Sequence, residues 1–338
     1  MSTKINSSQI ALLNILADGE YHSGEGLGAA LSVSRAAVWK NLQALADFGI
    51  SVQSHKGLGY RIEGGLDLID MSAVLADIDP EYQVLLEGSV IEPVLDSTNS
   101  YLMDFIASNK PEKGKLCIAE YQSSGRGRRG RVWQSPYASN IYMSLGWRFQ
   151  QGVAALEGLS LAVGVAICEA LEALGVDGVA LKWPNDVLYH NKKLAGILLE
   201  MSGDASGECY VVVGVGLNVK MTDDQALQID QPWVDLDTII CEQGLAARGR
   251  GLRGRVVSLL LNRLLPLLDS YESAGFVAYR DAWESRHAYR AAPVKLITPS
   301  GEVDGLALGV TDTGGLRLST EQGEKVFIGG EVSLRGVV

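Results

Sequence analysis

No Cys-x-x-Cys pair occurs in this chain. Its four cysteines, Cys117, Cys168, Cys209 and Cys241, are scattered, which excludes a disulfide framework and a structural zinc site and suits a reducing, cytoplasmic setting. Histidine is equally sparse: His22, His55, His190 and His287 stand apart, as surface or capping residues do and as metal ligands do not. The N-terminus has no basic segment followed by an apolar run, so no signal peptide is expected. No apolar run approaches the ~20 residues of a membrane-spanning helix. Leu259 to Leu268 is too short and is interrupted by Asn262, Arg263 and Pro266. No membrane partner is expected.

Positive charge is also lacking. The net charge of −11 excludes a nonspecific nucleic-acid binder. The deficit is uneven, because residues 1–65 hold five Lys/Arg and five Asp/Glu and the whole −11 falls on the remainder. The N-terminal segment is thus the part least repelled by DNA. With 338 residues and 47% hydrophobic content the chain can bury a large core, and its length favours two or three domains.

Against the acidic background, Gly125-Arg126-Gly127-Arg128-Arg129-Gly130-Arg131 places four arginines and three glycines in seven residues. Arginine offers a fixed fork of donors to carboxylate and phosphate oxygens. Glycine lets the backbone turn sharply and bring its N–H groups close to an anion. Such a loop is suited to closing over a negatively charged ligand. A solvated basic loop or an RGG-type RNA tether has similar composition. The segment occurs once, however, between strand-like text at Leu116–Tyr121 and Asn140–Gly146.

Residues 1–65 read as a winged helix-turn-helix. Helical spacing covers Ser8–Ala17, Ser23 caps a second helix to about Leu31, and Ser34 caps a third over Arg35–Asp47. Ile50–Ile62 then forms a hairpin with its turn at His55–Gly59. In that geometry the third helix turns Ser34, Arg35, Trp39, Lys40 and Gln43 toward the major groove, and the wing brings His55 and Lys56 near phosphates. The same module also serves as a protein-interaction domain, and Trp39 could equally be partly buried. Gly64-Gly65 and the aspartates after it mark a domain boundary, with a linker helix at Met71–Ile78.

The next segment, to residue 272, alternates strands and helices. A strand at Leu86–Leu95 leads into Asp96-Ser97-Thr98-Asn99 and a helix to about Ser108. Those small polar residues can cap the helix or hydrogen-bond a small polar head group. Leu156–Leu174 is a core helix. Val179–Leu181 is a strand ending in Lys182-Trp183-Pro184-Asn185-Asp186, where a lysine, an amide and a carboxylate meet. Lys182 could face phosphate and Asp186 could hold Mg²⁺ through water, or the two could be a surface ion pair. Lys192 to Glu200 becomes a buried strand in which Gly196 permits close approach of a ligand. Val211–Val219 is a further strand. Its Gly214-x-Gly216 lacks the third glycine of a dinucleotide fingerprint. Thr238–Cys241 and Arg255–Tyr271 are helical.

Three motifs in this order, Gly125 to Arg131 with Trp133, Lys182 to Asp186, and Lys193-Leu194-Ala195-Gly196-Ile197-Leu198, resemble those of biotin protein ligases. With the winged helix, the chain resembles the bacterial form that is both biotin–[acetyl-CoA carboxylase] ligase and biotin operon repressor. The resemblance implies an α+β multidomain protein: a winged helix-turn-helix (1–65), a mixed α/β ligase domain (66–272) and a small SH3-like β-barrel (273–338). It implies biotin and ATP as substrates with Mg²⁺, biotinoyl-5′-AMP as intermediate, and the biotin carboxyl carrier protein as acceptor. It further implies operator DNA as partner and a homodimer when the adenylate is bound.

By the same resemblance, Ser97, Thr98, Asn99, Gln122, Arg126, Gly127, Arg128, Lys193 and Gly196 bind biotin. Arg128, Arg131, Trp133, Lys182, Asn185, Asn218 and Arg335 bind the nucleotide. Lys193, Arg128, Lys182 and Asp186 form the catalytic set, with Asp186 toward Mg²⁺. The charge that builds on the α-phosphate suits such a cluster of cations. The C-terminal strands are expected at Pro293–Thr298, Gly305–Val310, Gly315–Thr320 and Val326–Leu334, with turns at Gly314-Gly315 and Gly329-Gly330. Family members tend to carry Trp before the last Gly-Gly, where this chain has Phe327-Ile328. Two other readings are a sensor that binds a small acid without ligating it and a lipoate ligase. The Lys182/Asp186/Lys193 set speaks against the first. The arginine loop and winged helix favour biotin over the second.

Overall fold

Asn6 starts the first helix with a reciprocal capping box, its side chain accepting from Gln9 N while the Gln9 side chain accepts from Asn6 N. Ser23 and Ser34 cap the next two helices by a one-way bond, each accepting a backbone N–H three residues on. The computed structural model describes residues 5–203, 207–246, 249–299, 301–328 and, for the backbone, 333–336. The helices are α1 (Ser7–Leu16), α2 (Gly24–Leu31) and α3 (Arg35–Ala44), followed by the wing strands β1 (Gln53–His55) and β2 (Gly59–Arg61). Helix α3 ends earlier than the sequence predicts: Leu45–Phe48 tightens into a 3₁₀ turn and Gly49 closes it at φ 74°. Leu12, Leu13, Leu16, Leu27, Val38, Leu42, Leu45 and Phe48 form the core of this unit.

The middle of the chain holds α4 (Met71–Ala76), α5 (Pro80–Gln83), β3 (Leu86–Glu92), α6 (Thr98–Asn109), β4 (Gly114–Ala119), β5 (Ile141–Phe149), α7 (Leu159–Ala173), β6 (Val179–Lys182), β7 (Asp186–Tyr189), β8 (Lys192–Gly203), β9 (Cys209–Leu217), α8 (Asp223–Ala226), α9 (Leu236–Glu242) and α10 (Leu252–Ala274). The strands form one sheet in the order β3-β4-β5-β9-β8-β7-β6. Only the β3–β4 pair is parallel. Helix α6 packs on β4, β5 and β9, while α7 packs against α10 and the strands β6 to β8. Strand β7 is not predicted from the sequence, where Asp186 reads as the end of a turn.

Helix α11 (Val277–Ser285) leads into a five-stranded antiparallel, SH3-like domain: β10 (Pro293–Thr298), β11 (Gly301–Val310), β12 (Leu316–Thr320), β13 (Gly323–Phe327) and β14 (Ser333–Gly336), ordered β13-β12-β11-β10-β14. The expected strand Val326–Leu334 is two strands on opposite edges of this sheet. Its first part pairs with β12 and its last part with β10. Gly329-Gly330 lie outside the described residues.

Two further expectations are corrected. Residues Val153–Ala173 are long and apolar enough to cross a membrane by length and composition. In the fold this stretch contains α7, with eleven of its fifteen residues buried as the central core helix. His287 is buried rather than superficial, packed 4.6 Å from the Trp283 ring centroid. Burial pushes its pKa down to about 4, and Arg290 adds to the shift.

Arg253 and Glu120 tie α10 to the stretch at residues 67–69 and to the central sheet. They form an ion pair at 2.5 Å with side chains 1% and 6% exposed. Arg253 also donates to the carbonyls of Asn140 and Asp67, and Glu120 accepts from Ile69 N. Asp67 in turn caps α10 through Gly251 N and Arg253 N. Removing one partner would strand the other charge in a dry site. Arg253→Met should therefore lower unfolding free energy by about 3–5 kcal/mol, read as a lower urea midpoint. An unchanged midpoint would contradict this role.

Candidate active site

Lys182 and Asp186 are cross-strand partners in the β6–β7 hairpin. The register between β7 and β8 then slips between Val187 and Leu188, leaving Leu194 as the extra residue. Side chains alternate faces along a strand, so without this bulge Lys193 and Gly196 would point to opposite sides. With it, Lys193 joins Asp186 and Gly196. Its ammonium lies 2.7 Å from one Asp186 oxygen, and that of Lys182 lies 2.6 Å from the other. Asp186 is 7% exposed. Burial pushes its carboxyl up, but Lys193 and Lys182 together outweigh burial and hold it below the ordinary carboxylate range.

The hairpin is clamped from three sides. Trp183 is buried and donates to Gly314 O of the C-terminal domain at 2.9 Å. Leu181 N bonds Arg286 O, and Ser160 Oγ donates to Pro184 O. Asn185 bonds Ile197 through both its side chain and its carbonyl.

Beside this cluster opens a cleft of about 480 Å³, counting its solvent-open mouth. Its floor is glycine: Gly196 pairs with Gly216, and Leu198 with Gly214. A β-carbon on Gly216 would stand 2.5 Å from Trp133 Cε2, and one on Gly214 would strike Asn99 Oδ1. The Gly-x-Gly that failed as a nucleotide fingerprint is thus seating for an indole and an amide. Lys193 Nζ sits 5.5 Å from the Trp133 ring centroid, a cation–π distance.

The rim is polar. Gln122 Oε1 accepts from Thr98 N at 2.9 Å, and Gln122 Nε2 donates to Ser135 Oγ at 3.0 Å. Ser97 occupies the N-cap position of α6 but its side chain makes no capping bond, so capping does not account for it. Ser97, Thr98 and Asn99 are all buried.

The arginine loop roofs the cleft. Gly125 must be glycine, because a β-carbon there would lie 2.4 Å from Trp133 O. Gly127 N bonds Arg131 O across the turn at 2.7 Å. Arg126 pairs with Glu200 at 2.5 Å, and Arg128 Nη1 donates to Asn185 Oδ1 at 3.2 Å. Burial lowers the Arg128 pKa, Arg129 adds to the shift, and Asp186 opposes it.

Of the residues named from sequence, Ser97, Thr98, Asn99, Gln122, Arg126, Gly127, Arg128, Trp133, Asn185, Lys193 and Gly196 line this one cleft. Trp133, grouped with the nucleotide residues, shares it with the biotin set. Lys182 and Asp186 stand behind Lys193 instead. Asn218 does not reach the cleft, and its amide donates to Lys193 O and Val234 O. Arg131 is exposed outside the cleft, and Arg335 pairs by backbone with Lys295 while its side chain lies outside the described residues. The described residues contain no group of three His, Cys, Asp or Glu that could hold a metal, so Asp186 belongs to no such group. With an ammonium on each oxygen, it does not fit a preformed Mg²⁺ site.

Sequence reasoning missed Ser135, Ser144 and Glu200 on the rim and Trp233 beside Lys193. Counting by twos along the strands, from Gly196 to Glu200 and from Tyr142 to Ser144, would have put the last two rim residues on the ligand face.

The winged helix presents a second face. Arg35, Trp39 and Gln43 recur every four residues along α3 and are exposed, Trp39 by 55%. Ser34, Lys40, His55 and Lys56 are exposed around them.

Placing a methyl group between strand and indole must push Trp133 out of its seat, at about 1–3 kcal/mol. Gly216→Ala should shift tryptophan emission to the red, and the shift should vanish in a Trp133→Phe background. A Gly216→Ala spectrum identical to wild type would refute the packing described.

The fold agrees with comparisons to known proteins. Residues 91–218 match the biotin/lipoate A/B protein ligase family, residues 8–61 an HTH domain and residues 292–335 the biotin protein ligase C terminal domain. The bifunctional ligase/repressor BirA of Escherichia coli (strain K12) is 39% identical over 333 residues, spanning 98% of each chain. That of Bacillus subtilis (strain 168) is 30% identical over 318 residues, 94% of this chain and 95% of the relative. Among solved structures, the biotin protein ligase from Aquifex aeolicus in complex with biotin and ATP superposes with TM-score 0.60 at 28% identity, over 74% of this chain and 100% of that one. From its winged helix to its C-terminal domain, the chain belongs to the bifunctional ligase/repressor family of biotin protein ligases.

Proposed function

We infer that this protein is an ATP-dependent biotin–[acetyl-CoA carboxylase] ligase acting through biotinoyl-5′-AMP, and a biotin-responsive repressor of biotin-synthesis genes. The observation that carries the ligase reading is one cleft joining a neutral hydrogen-bonding rim to cations: Thr98, Asn99 and Gln122 at one end, Lys193 and Arg128 at the other. A urea head group suits the rim, and a carboxylate meeting a phosphate suits the cations.

In the proposed reaction a biotin carboxylate oxygen attacks the α-phosphate of ATP and pyrophosphate leaves. A lysine amine of the biotin carboxyl carrier protein then attacks the acyl carbon, AMP leaves, and an amide forms with loss of a proton. Lys193 and Arg128 stabilise charge on the reacting oxygens in place, without reorganising. Asp186, itself paired with Lys182, holds Lys193 in position. Mg²⁺ is proposed to arrive with the nucleotide, on phosphate oxygens. The arginine loop shields the anhydride from water. A dithiolane head group has no N–H to offer the rim, which favours biotin over lipoate.

The proposed division of labour is 1–65 for DNA, 66–272 for ligation and 273–338 for bracing the Lys182–Asp186 hairpin, in a cytoplasmic protein. A single winged helix binds one half-site, so repression calls for a dimer. The adenylate would favour the dimer by binding the competent form more tightly.

Biotin-dependent exchange of pyrophosphate into ATP tests the chemistry. Wild type should exchange with biotin and not with lipoate, and Lys193→Ala should lose about 10²–10³ in rate. Absence of exchange with either acid would sink the ligase reading. For repression, Arg35→Ala should weaken binding to promoter DNA of biotin-synthesis genes by about 1–3 kcal/mol, measured by anisotropy with adenylate present. If wild type prefers that DNA no more than random duplex, the repressor half fails and the ligase half stands.

A further inference from the structure

Glu200 lies on β8, four residues beyond Gly196 and on the same face of the strand. One of its oxygens, Oε2, receives both Arg126 Nη2 at 2.5 Å and Asn99 Nδ2 at 2.9 Å. A carboxylate only accepts, so the Asn99 amide is held with its nitrogen toward Glu200 and Leu198 O. Its oxygen then faces Ser144 Oγ at 2.6 Å. An amide oxygen also only accepts, which commits the single Ser144 proton to Asn99. Ser144 Oγ lies 2.7 Å from Thr98 Oγ1. With the Ser144 proton committed, that contact closes only if Thr98 donates its own proton to Ser144. The alternative acceptor for Thr98, Gln122 Oε1, is farther at 3.2 Å and already receives Thr98 N. Bare Gly214 leaves Asn99 the room to serve as the middle link.

We propose that Glu200 is a positioning and specificity-determining residue that directs the Glu200–Asn99–Ser144–Thr98 hydrogen-bond chain, so that Thr98 Oγ1 presents lone pairs to a ligand N–H. The same carboxylate oxygen holds Arg126, so the polarity of the rim and the closed position of the arginine loop are set by one group. The ligand class selected is a head group with an N–H donor. The inference rests on the ligase reading, where that donor is a ureido N–H of biotin.

The test is pyrophosphate exchange by wild type, Glu200→Ala, Glu200→Gln and Ser144→Ala. Each is assayed with biotin and with the two analogues singly N-methylated on the urea. Wild type should discriminate against one methylated analogue. Glu200→Ala and Ser144→Ala should each raise the KM for biotin about tenfold, leave kcat and the KM for ATP within about twofold, and reduce that discrimination. Combining them should cost little more than either alone, because they break one chain. Glu200→Gln should largely restore wild-type behaviour, since one amide oxygen can serve both donors. Ser144→Ala leaves the Arg126 pair intact and so reads the chain even if Glu200→Ala folds poorly. Unaltered biotin KM and discrimination in Glu200→Ala and Ser144→Ala overturn the proposal alone, as do equal rises in KM for ATP and biotin. Failure of wild type to exchange with biotin overturns the ligase reading, and this proposal with it.

Discussion

A single buried carboxylate holding two ammonium groups is the interaction on which the active cleft depends. Lys182 and Lys193 are only 19% and 16% exposed, and two cations brought so close would repel strongly in a poorly hydrated site. Asp186 between them makes the cluster tolerable. It also aims both lysines, because each is tied to a different oxygen. The β-bulge, the hairpin and the contact from Trp183 to the C-terminal domain can all be understood as holding that carboxylate in place. An arriving anion meets cations whose partner is already in position, so little is spent on orienting them.

The segment from Glu120 to Ala138 connects this chemistry to the N-terminal unit. Gln122 and Ser135 belong to the cleft, while Tyr121 and Tyr137 pack edge-on against Phe48, at 5.5 and 6.5 Å between centroids. Tyr137 and Ala138 are buried with the winged-helix leucines. The arginine loop is therefore suspended between two anchors that touch the DNA-binding unit. Glu120 begins the same segment and is held by Arg253. Ligand, loop and winged helix share one stretch of backbone.

Local chemistry was legible in the sequence wherever the signal itself was local. The caps at Ser23 and Ser34, the arginine loop, and the meeting of Lys182 with Asp186 four residues on all depend on neighbours in the chain. What escaped depends on register between distant strands. Glu200 meets Arg126 and Asn99 across 74 and 101 residues of sequence; the period-two count from Gly196 gives its face, but nothing near it names those partners. Asn218 is assigned to the nucleotide by family resemblance, whereas β8 and the segment after Pro232 claim its side chain. The strand at Val326–Leu334 was misjudged for a related reason. Apolar text on both sides of a Gly-Gly does not tell whether the chain turns back or crosses to the other edge.

The bare floor of the cleft has a consequence for descent. Gly214 and Gly216 have no side chains because Asn99 and Trp133 occupy that space, and any replacement at either position adds atoms. A lineage cannot sample the floor one methyl at a time without first moving the residue seated on it. Apart from Gly125, the rim and roof are freer, since Ser144, Glu200 and Arg126 can each be exchanged for side chains of similar bulk. New ligand preferences in this architecture should arise by rewriting its walls, while its glycines persist as a record of the older fit.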